Sequence, residues 1–179
     1  MAWYNRAMGS MARAKTGVGL LVAAMAALGA TVLARTFAAD APAEREISGE
    51  VVAVLDGDTI DVLSRGKATR VRLAGIDCPE KSQRFGMQAK KLASSLCFGR
   101  SVRVRATAVD RYGRTVGFVT LPDGRSLNDE MLRAGLAWWY RDYSKDERLG
   151  ALEREARLAR RGLWVDPDPM PPWVWRRHE

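Results

Sequence analysis

The stretch Val71-Arg72-Leu73-Ala74-Gly75-Ile76-Asp77-Cys78-Pro79-Glu80 carries the pattern on which the fold turns. Val71 and Leu73 alternate with Arg70 and Arg72, the period of a half-buried strand. Gly75 weakens that strand, and Pro79 has no amide hydrogen to give a sheet interior, so the strand is expected to run out near Asp77. Two carboxylates, Asp77 and Glu80, are then delivered to a loop, with Arg72 five residues before Asp77 on the polar face. Acids beside an arginine at a strand end suit a bound cation together with an anion such as phosphate. A surface turn closed by a salt bridge accounts for the same residues.

Working outward, Asp56-Gly57-Asp58-Thr59 sits between the apolar runs Val51-Val52-Ala53-Val54-Leu55 and Ile60-Asp61-Val62-Leu63. An Asp-Gly pair in that setting is a strong hairpin signal. One aspartate suffices for a turn, which leaves Asp58 available as a ligand. On the other side, Asp110-Arg111-Tyr112-Gly113-Arg114 separates two further strand patterns at 102–109 and 116–120. It also reads as a hairpin turn, now carrying Arg114 and an aromatic ring.

The remaining pattern is coarse but consistent. Residues 47–63 give two strands, 68–75 a third, 101–108 a fourth with Arg103 and Arg105 on its outer face, and 116–121 a fifth. Phe85, Ala89, Leu92 and Leu96 form one apolar stripe of a helix that Gly99 is placed to stop. Ser126 and Asp129 have the spacing of a capping box, opening a short helix that runs to Ala134 and is ended by Gly135. A longer helix is expected from Ser144, with Leu149, Leu152, Ala156, Ala159 and Leu163 on one stripe. Arg154, Arg157, Arg160 and Arg161 lie off that stripe, as a solvated face or as a nucleic-acid patch. Periodicity therefore gives an α+β fold, and five strands before a helix-rich half suit a small Greek-key barrel.

Among 179 residues, 29 Lys and Arg face 21 Asp and Glu, a formal charge of +8. Residues 1–39 read as an export segment: Arg6, Arg13 and Lys15 precede 18 uncharged residues, and Thr36-Phe37-Ala38-Ala39 offers small residues for cleavage. A cleaved signal peptide leads to a periplasmic or secreted protein. An uncleaved membrane anchor is the alternative, since the apolar run is just long enough to span a bilayer. Removing residues 1–39 takes four basic residues and no acid, leaving +4, a mildly basic surface that fits a polyanion. Residues 40–46 are expected to be a linker, 47–164 the folded domain, and 165–179 an extended tail, rich in Pro and Trp, packed by its aromatics.

His178 is the single histidine, which nearly excludes histidine-based hydrolytic chemistry, and two cysteines cannot make a four-cysteine zinc site. Hydrolysis here must come from carboxylates, arginines and a bound ion. Asp58 and Asp77 are hard oxygen donors, suited to Ca²⁺ or Mg²⁺. Cys78 and Cys97 can pair as a disulfide in an oxidising compartment or stay as two buried thiols.

The order DGDT, RLAGIDCPE and DRYGR, at these spacings, resembles the staphylococcal nuclease-like (thermonuclease) family over residues 47–164. That resemblance implies a five-stranded OB-type barrel with about three packed helices. The implied reaction is calcium-dependent hydrolysis of DNA and RNA, single strands favoured, by a monomer with no protein partner. It implies Ca²⁺ on Asp58, Asp77 and the backbone carbonyl of Cys78, where the family usually has threonine. It assigns Arg72 and Arg114 to the phosphate and Glu80 to the attacking water. Arg111 and Tyr112 match substrate-binding positions, and Tyr143 is the candidate for a nucleotide-stacking tyrosine. Relatives that have lost the carboxylates and arginines serve as non-catalytic OB-type modules that bind nucleic acid or protein. Asp58, Asp77, Glu80, Arg72 and Arg114 are all present here, which favours the enzyme.

Overall fold

A computed structural model describes residues 45–178, so the expected leader or anchor and most of the expected linker lie outside the described residues. Five strands close into a barrel: β1 (Arg45–Val54), β2 (Thr59–Ser64), β3 (Lys67–Leu73), β5 (Ser101–Val109) and β6 (Thr115–Thr120). Their order is β1-β2-β3-β6-β5, with β5 returning to β1. All neighbours are antiparallel except β3 and β6, which run parallel with Arg72 opposite Val116. The first strand begins at Arg45, inside the stretch expected to be linker.

Period-two alternation fills the barrel. Val51, Ile60, Val62, Val71, Leu73, Val102, Val104 and Val119 point inward and are at most 2% exposed. Each such side chain contributes about 1.5–3 kcal/mol relative to leaving it in water. Register shifts at Val51/Ala53 in β1 and Ala106/Ala108 in β5 mark the irregularities that let a twisted sheet bend round on itself.

The chain after β3 departs from the expected long strand. Ala74-Gly75 forms a turn, with Gly75 at φ +72°, and the chain resumes as a two-residue strand β4 (Ile76–Asp77). β4 pairs with β7 (Trp138–Trp139), outside the barrel. Asn128 fixes this turn: its side chain accepts from Val119 N at 3.0 Å and donates to Ala74 O at 2.9 Å. A fully buried amide thus ties β6 to the turn that precedes Asp77.

Helix α1 (Gly86–Cys97) buries Gly86, Ala89, Ala93 and Cys97, with Phe85, Leu92 and Leu96 flanking. The expected stripe is therefore rotated onto the small residues, which let the helix sit close. Helix α2 (Leu127–Arg133) opens as expected on Ser126, whose hydroxyl accepts from Asp129 N at 3.3 Å. Helix α3 (Glu147–Leu158) starts later than expected, capped by Asp146, and Leu163 falls in a separate 3₁₀ turn, Gly162–Val165. Two of the arginines beyond its stripe, Arg157 and Arg161, are engaged within the fold. Arg157 lies over the Trp164 and Trp138 rings at 3.9 and 4.9 Å and reaches Glu153, while Arg161 pairs with Glu155.

The tail is not simply extended. It ends in a short helix α4 (Pro172–Trp175), which Pro172 starts without sacrificing a needed donor. Trp173 stacks on Tyr140 at 5.2 Å and 3° and meets Trp138 edge-on at 5.6 Å. Gln83 Nε2 donates to Met170 O at 2.6 Å, and Arg84 pairs with Asp166. The tail is thereby fastened to the loop after β4 and to the aromatics around β7. Among the described residues no helix is long and apolar enough to cross a membrane.

Candidate active site

Asp58 is delivered by the loop between β1 and β2. Leu55 N donates to Thr59 O at 2.9 Å to close it, and Asp58 N donates to Asp56 Oδ1 at 3.1 Å. Asp56 therefore makes the side-chain turn and Asp58 is the spare acid. The glycine between them has a different job from the one expected. Gly57 has no positive φ, but a Cβ on it would lie 2.7 Å from Ala89 Cβ and 2.8 Å from Cys78 Cβ. It lets the loop press against α1 and the Cys78 side chain, which brings Asp58 under β4.

The result is one charged network. Arg72 Nη2 donates to Asp77 Oδ1 at 2.7 Å, and Arg72 Nη1 lies 2.6 Å from Asp58 Oδ2, out of line for a hydrogen bond. Cys78 N donates to the same Asp58 Oδ2 at 2.6 Å. Thr59 Oγ1 donates to Asp58 Oδ1 at 3.3 Å. From the far end of the chain, Arg176 Nη2 donates to Asp77 Oδ2 at 2.8 Å and Arg176 Nη1 to Glu80 Oε1 at 2.6 Å. Three acids and two arginines are thus linked, with Asp58 and Asp77 6% and 1% exposed.

Burial dominates the electrostatics of Asp58. It raises the carboxyl from 3.8 to about 7, against Arg72, which lowers it. Burial also works against the Arg72 charge, but Asp58 and Asp77 hold its pKa above the ordinary value. The Cys78 thiol is pushed well above its usual range by burial and then by the Asp58 charge, so it is a neutral thiol. Cys97, pushed up to about 12 by burial, is a second buried free thiol, and no disulfide joins the two.

A hard cation fits the donor chemistry here. Asp58 is a buried carboxylate whose charge one arginine does not fully offset, and its Oδ1 accepts from the Thr59 hydroxyl. Among the described residues, however, no three Asp, Glu, His or Cys side chains converge as a ready metal cluster. The other acid is occupied, since both oxygens of Asp77 accept from guanidinium groups.

The β5–β6 hairpin forms a second, exposed cluster. Asp110 Oδ1 accepts from the amides of Tyr112 and Arg114 at 2.9 and 3.0 Å, and Asp110 Oδ2 from Arg114 Nε at 2.7 Å. Gly113 takes the left-handed turn at φ +77°. The Arg111 and Arg114 guanidinium groups lie over the Tyr112 ring at 4.8 and 5.4 Å. Tyr112, Gly113 and Arg114 line an open groove of about 380 Å³ with Asp61, Ala68 and Arg70. Because Arg72 pairs with Val116, two residues after Arg114, the period of two puts Arg72 in β3 and Arg114, just before β6, on the same outer face.

The structure thus joins Asp58, Asp77, Arg72, Glu80 and the Cys78 amide in one place, and Arg111, Tyr112 and Arg114 in a neighbouring one. Tyr143 is 77% exposed, and its ring lies 4.6 Å from that of Tyr140. Two residues of the site escaped the sequence reading, Arg176 and Tyr140. The Tyr140 hydroxyl is pushed up by burial and then by the Asp77 charge, with Arg176 bonded to it. The available signal was Trp173-Val174-Trp175-Arg176-Arg177, an aromatic anchor followed at once by two arginines.

Comparison with known proteins completes the picture. A family profile described as "Staphylococcal nuclease homologue" matches residues 70–166. An "Uncharacterized endonuclease" of Escherichia coli O157:H7 is 49% identical over 134 residues, covering 75% of this chain and 88% of the relative. A "Micrococcal nuclease" of Shigella flexneri is 45% identical over 164 residues, covering 86% of this chain and 94% of the relative. A "Staphylococcal-like nuclease CAN1" of Arabidopsis thaliana is 39% identical over 113 residues, covering 63% of this chain and 35% of that longer protein.

Proposed function

The chain belongs to the staphylococcal nuclease family, and from that premise we propose that it is an exported, Ca²⁺-dependent nuclease that hydrolyses phosphodiester bonds in DNA and RNA. The observation that carries this reading is Arg72 held between the buried acids Asp58 and Asp77, with Glu80 beside them. Buried carboxylates cost stability unless they are compensated, so a group of three acids around two arginines is poorly explained by folding alone.

A phosphodiester is anionic and repels the hydroxide that must attack it. Asp58 and Asp77, with a backbone carbonyl such as that of Cys78, are the donors for Ca²⁺, whose charge would offset that of the phosphate. Arg72 and Arg114 present forked donors on one face of the barrel, suited to phosphate oxygens and to the extra charge of a five-coordinate transition state. Glu80 is one-third exposed and accepts from Arg176, which holds the carboxylate in place to orient or deprotonate water. Tyr112, capped by two guanidinium groups, offers a ring edge and a hydroxyl to a substrate strand in the neighbouring groove. Relatives named endonuclease support internal cleavage. Export rests on the basic start and apolar run of residues 1–39.

The test is degradation of single-stranded DNA and of RNA by the purified protein with Ca²⁺ and then with excess chelator. Loss of turnover on chelation, restored by Ca²⁺ and less well by Mg²⁺, is the expected result. Full activity in chelator contradicts the metal dependence. Binding without degradation under all conditions points instead to a non-catalytic module.

A further inference from the structure

Arg176 comes from outside the barrel, yet it makes more bonds to the acids of the site than Arg72 does. Its two terminal nitrogens span Asp77 and Glu80: Nη2 lies 2.8 Å from Asp77 Oδ2, and Nη1 lies 3.3 Å from Asp77 Oδ1 and 2.6 Å from Glu80 Oε1. With Arg72 Nη2 on Asp77 Oδ1 at 2.7 Å, no oxygen of Asp77 is left without a guanidinium partner.

The position of Arg176 is built. Trp173, three residues earlier, is sandwiched against Tyr140 and Trp138, and Met170 O is held by Gln83, three residues beyond Glu80. The tail is therefore anchored to the loop that carries Glu80 on one side and to the strand that pairs with Asp77 on the other. The side chain itself is 39% exposed, so it can leave without opening the fold. A buried Asp77 needs a counter-charge at all times, and a partly exposed arginine on an anchored tail supplies one that is able to move.

We propose that Arg176 is an internal counter-cation of the Asp77–Glu80 pair, which must release Asp77 before a divalent cation can be held there, so that the C-terminal tail sets the cation affinity of the site. This rests on the metal reading above. It makes the tail a working part of the site and accounts for the lack, among the described residues, of a ready three-acid cluster. Arg176 competes for Asp77 while its other bond, to Glu80, keeps that carboxylate oriented.

The experiment is calorimetric titration of Ca²⁺ into the full chain, with wild type compared to Arg176→Gln and Arg177→Gln. Arg177 is the exposed neighbour on the same segment, so its substitution removes the same charge without touching the acids. Removing a competing charged hydrogen-bond pair should tighten Ca²⁺ binding by about tenfold in Arg176→Gln. Arg177→Gln should stay within about twofold of wild type, as expected for an exposed charge. Thermal unfolding without metal verifies that both variants fold. Arg176→Lys, which keeps the charge but loses the fork, should fall between wild type and Arg176→Gln. Equal or weaker binding by Arg176→Gln, in a protein that still degrades DNA only with Ca²⁺, overturns this inference and leaves the metal reading intact. Equal tightening by Arg177→Gln also overturns it, because the effect is then long-range charge. Absence of Ca²⁺ binding in every protein overturns the metal reading and this inference with it.

Discussion

Asp58 and Asp110 each face an arginine at nearly the same distance, 2.6 Å to Arg72 and 2.7 Å to Arg114, yet their carboxyls move in opposite directions. At Asp58 burial is the largest influence and the Arg72 charge only partly offsets it, so the pKa rises from 3.8 to about 7. At Asp110 burial is again the largest single influence and raises the pKa, but bonds from the Arg114 side chain and from the Arg114 and Tyr112 amides, with the Arg114 charge, together outweigh it and hold the carboxyl below 3.8. An ion pair therefore has no fixed worth: burial weighed against all the bonds the carboxylate accepts, not the distance to one arginine, decides which state of the acid the fold favours. The buried floor around Arg72 holds charge at a cost to stability. The hairpin around Arg114 holds charge that helps to form its own turn. Groups kept ionisable at a cost are the ones that point to function, and groups that satisfy themselves locally point first to structure.

Substitutions can pull this contrast apart. The largest effect on turnover without an effect on folding is expected at Glu80, at the rim of the floor. Glu80→Gln keeps the shape and removes the charge, and general-base assistance is typically ~10²–10⁴-fold, so kcat should fall within or beyond that range. Glu80 is one-third exposed, so stability should change by less than about 1 kcal/mol. Steady-state kinetics beside thermal unfolding checks both halves, and a variant with wild-type kcat removes Glu80 from the chemistry.

Arg114→Lys comes next. Lysine keeps the charge but cannot present the planar fork, so kcat/KM should fall by about tenfold, mostly in kcat, while the circular dichroism spectrum stays unchanged. If the variant stays within about threefold of wild type, a difference of only ~0.7 kcal/mol, Arg114 belongs to the hairpin alone.

The smallest effect concerns pH at Asp110. A carboxyl held below its ordinary value stabilises the fold above that value and loses this contribution as pH falls through the folded pKa. Asp110→Asn should therefore flatten the decline of the melting temperature below about pH 4, with activity at neutral pH little changed. A melting curve that still declines as steeply in the variant as in wild type assigns the acid sensitivity elsewhere. Asp58 has the opposite sign: its ionisation weakens the metal-free fold as pH rises from 3.8 towards 7.

These contrasts also mark what was legible in the chain. The five barrel strands follow from alternation because each has one wet and one dry face, as at Val71 to Arg72. Asp58, Arg72, Asp77 and Glu80 could be grouped because three loops share a recognisable order. The short ribbon of β4 and β7 could not be read, since a two-residue strand has no period. The Asp56-Gly57 pair reads as a turn, whereas Gly57 serves close packing against Cys78 and Ala89, a tertiary constraint that no local window contains. Arg176 was missed for the same reason in stronger form: it meets Asp77 across 99 positions, and only the docking of Trp173 on Tyr140 brings it there.

The central claim is that the buried floor is retained for chemistry rather than for stability, and Asp58→Asn tests it most directly. Asparagine keeps an acceptor for the Cys78 amide and removes the buried negative charge. In chelator, the variant should melt at or above the wild-type temperature at pH 7, the pattern of a functional residue that weakens its own fold. At saturating Ca²⁺ its kcat on single-stranded DNA should be at least about 100-fold below wild type, the scale set by losing one essential charged group. A variant that melts well below wild type yet keeps its turnover would contradict the account, since Asp58 would then be a structural acid and the floor a piece of scaffolding.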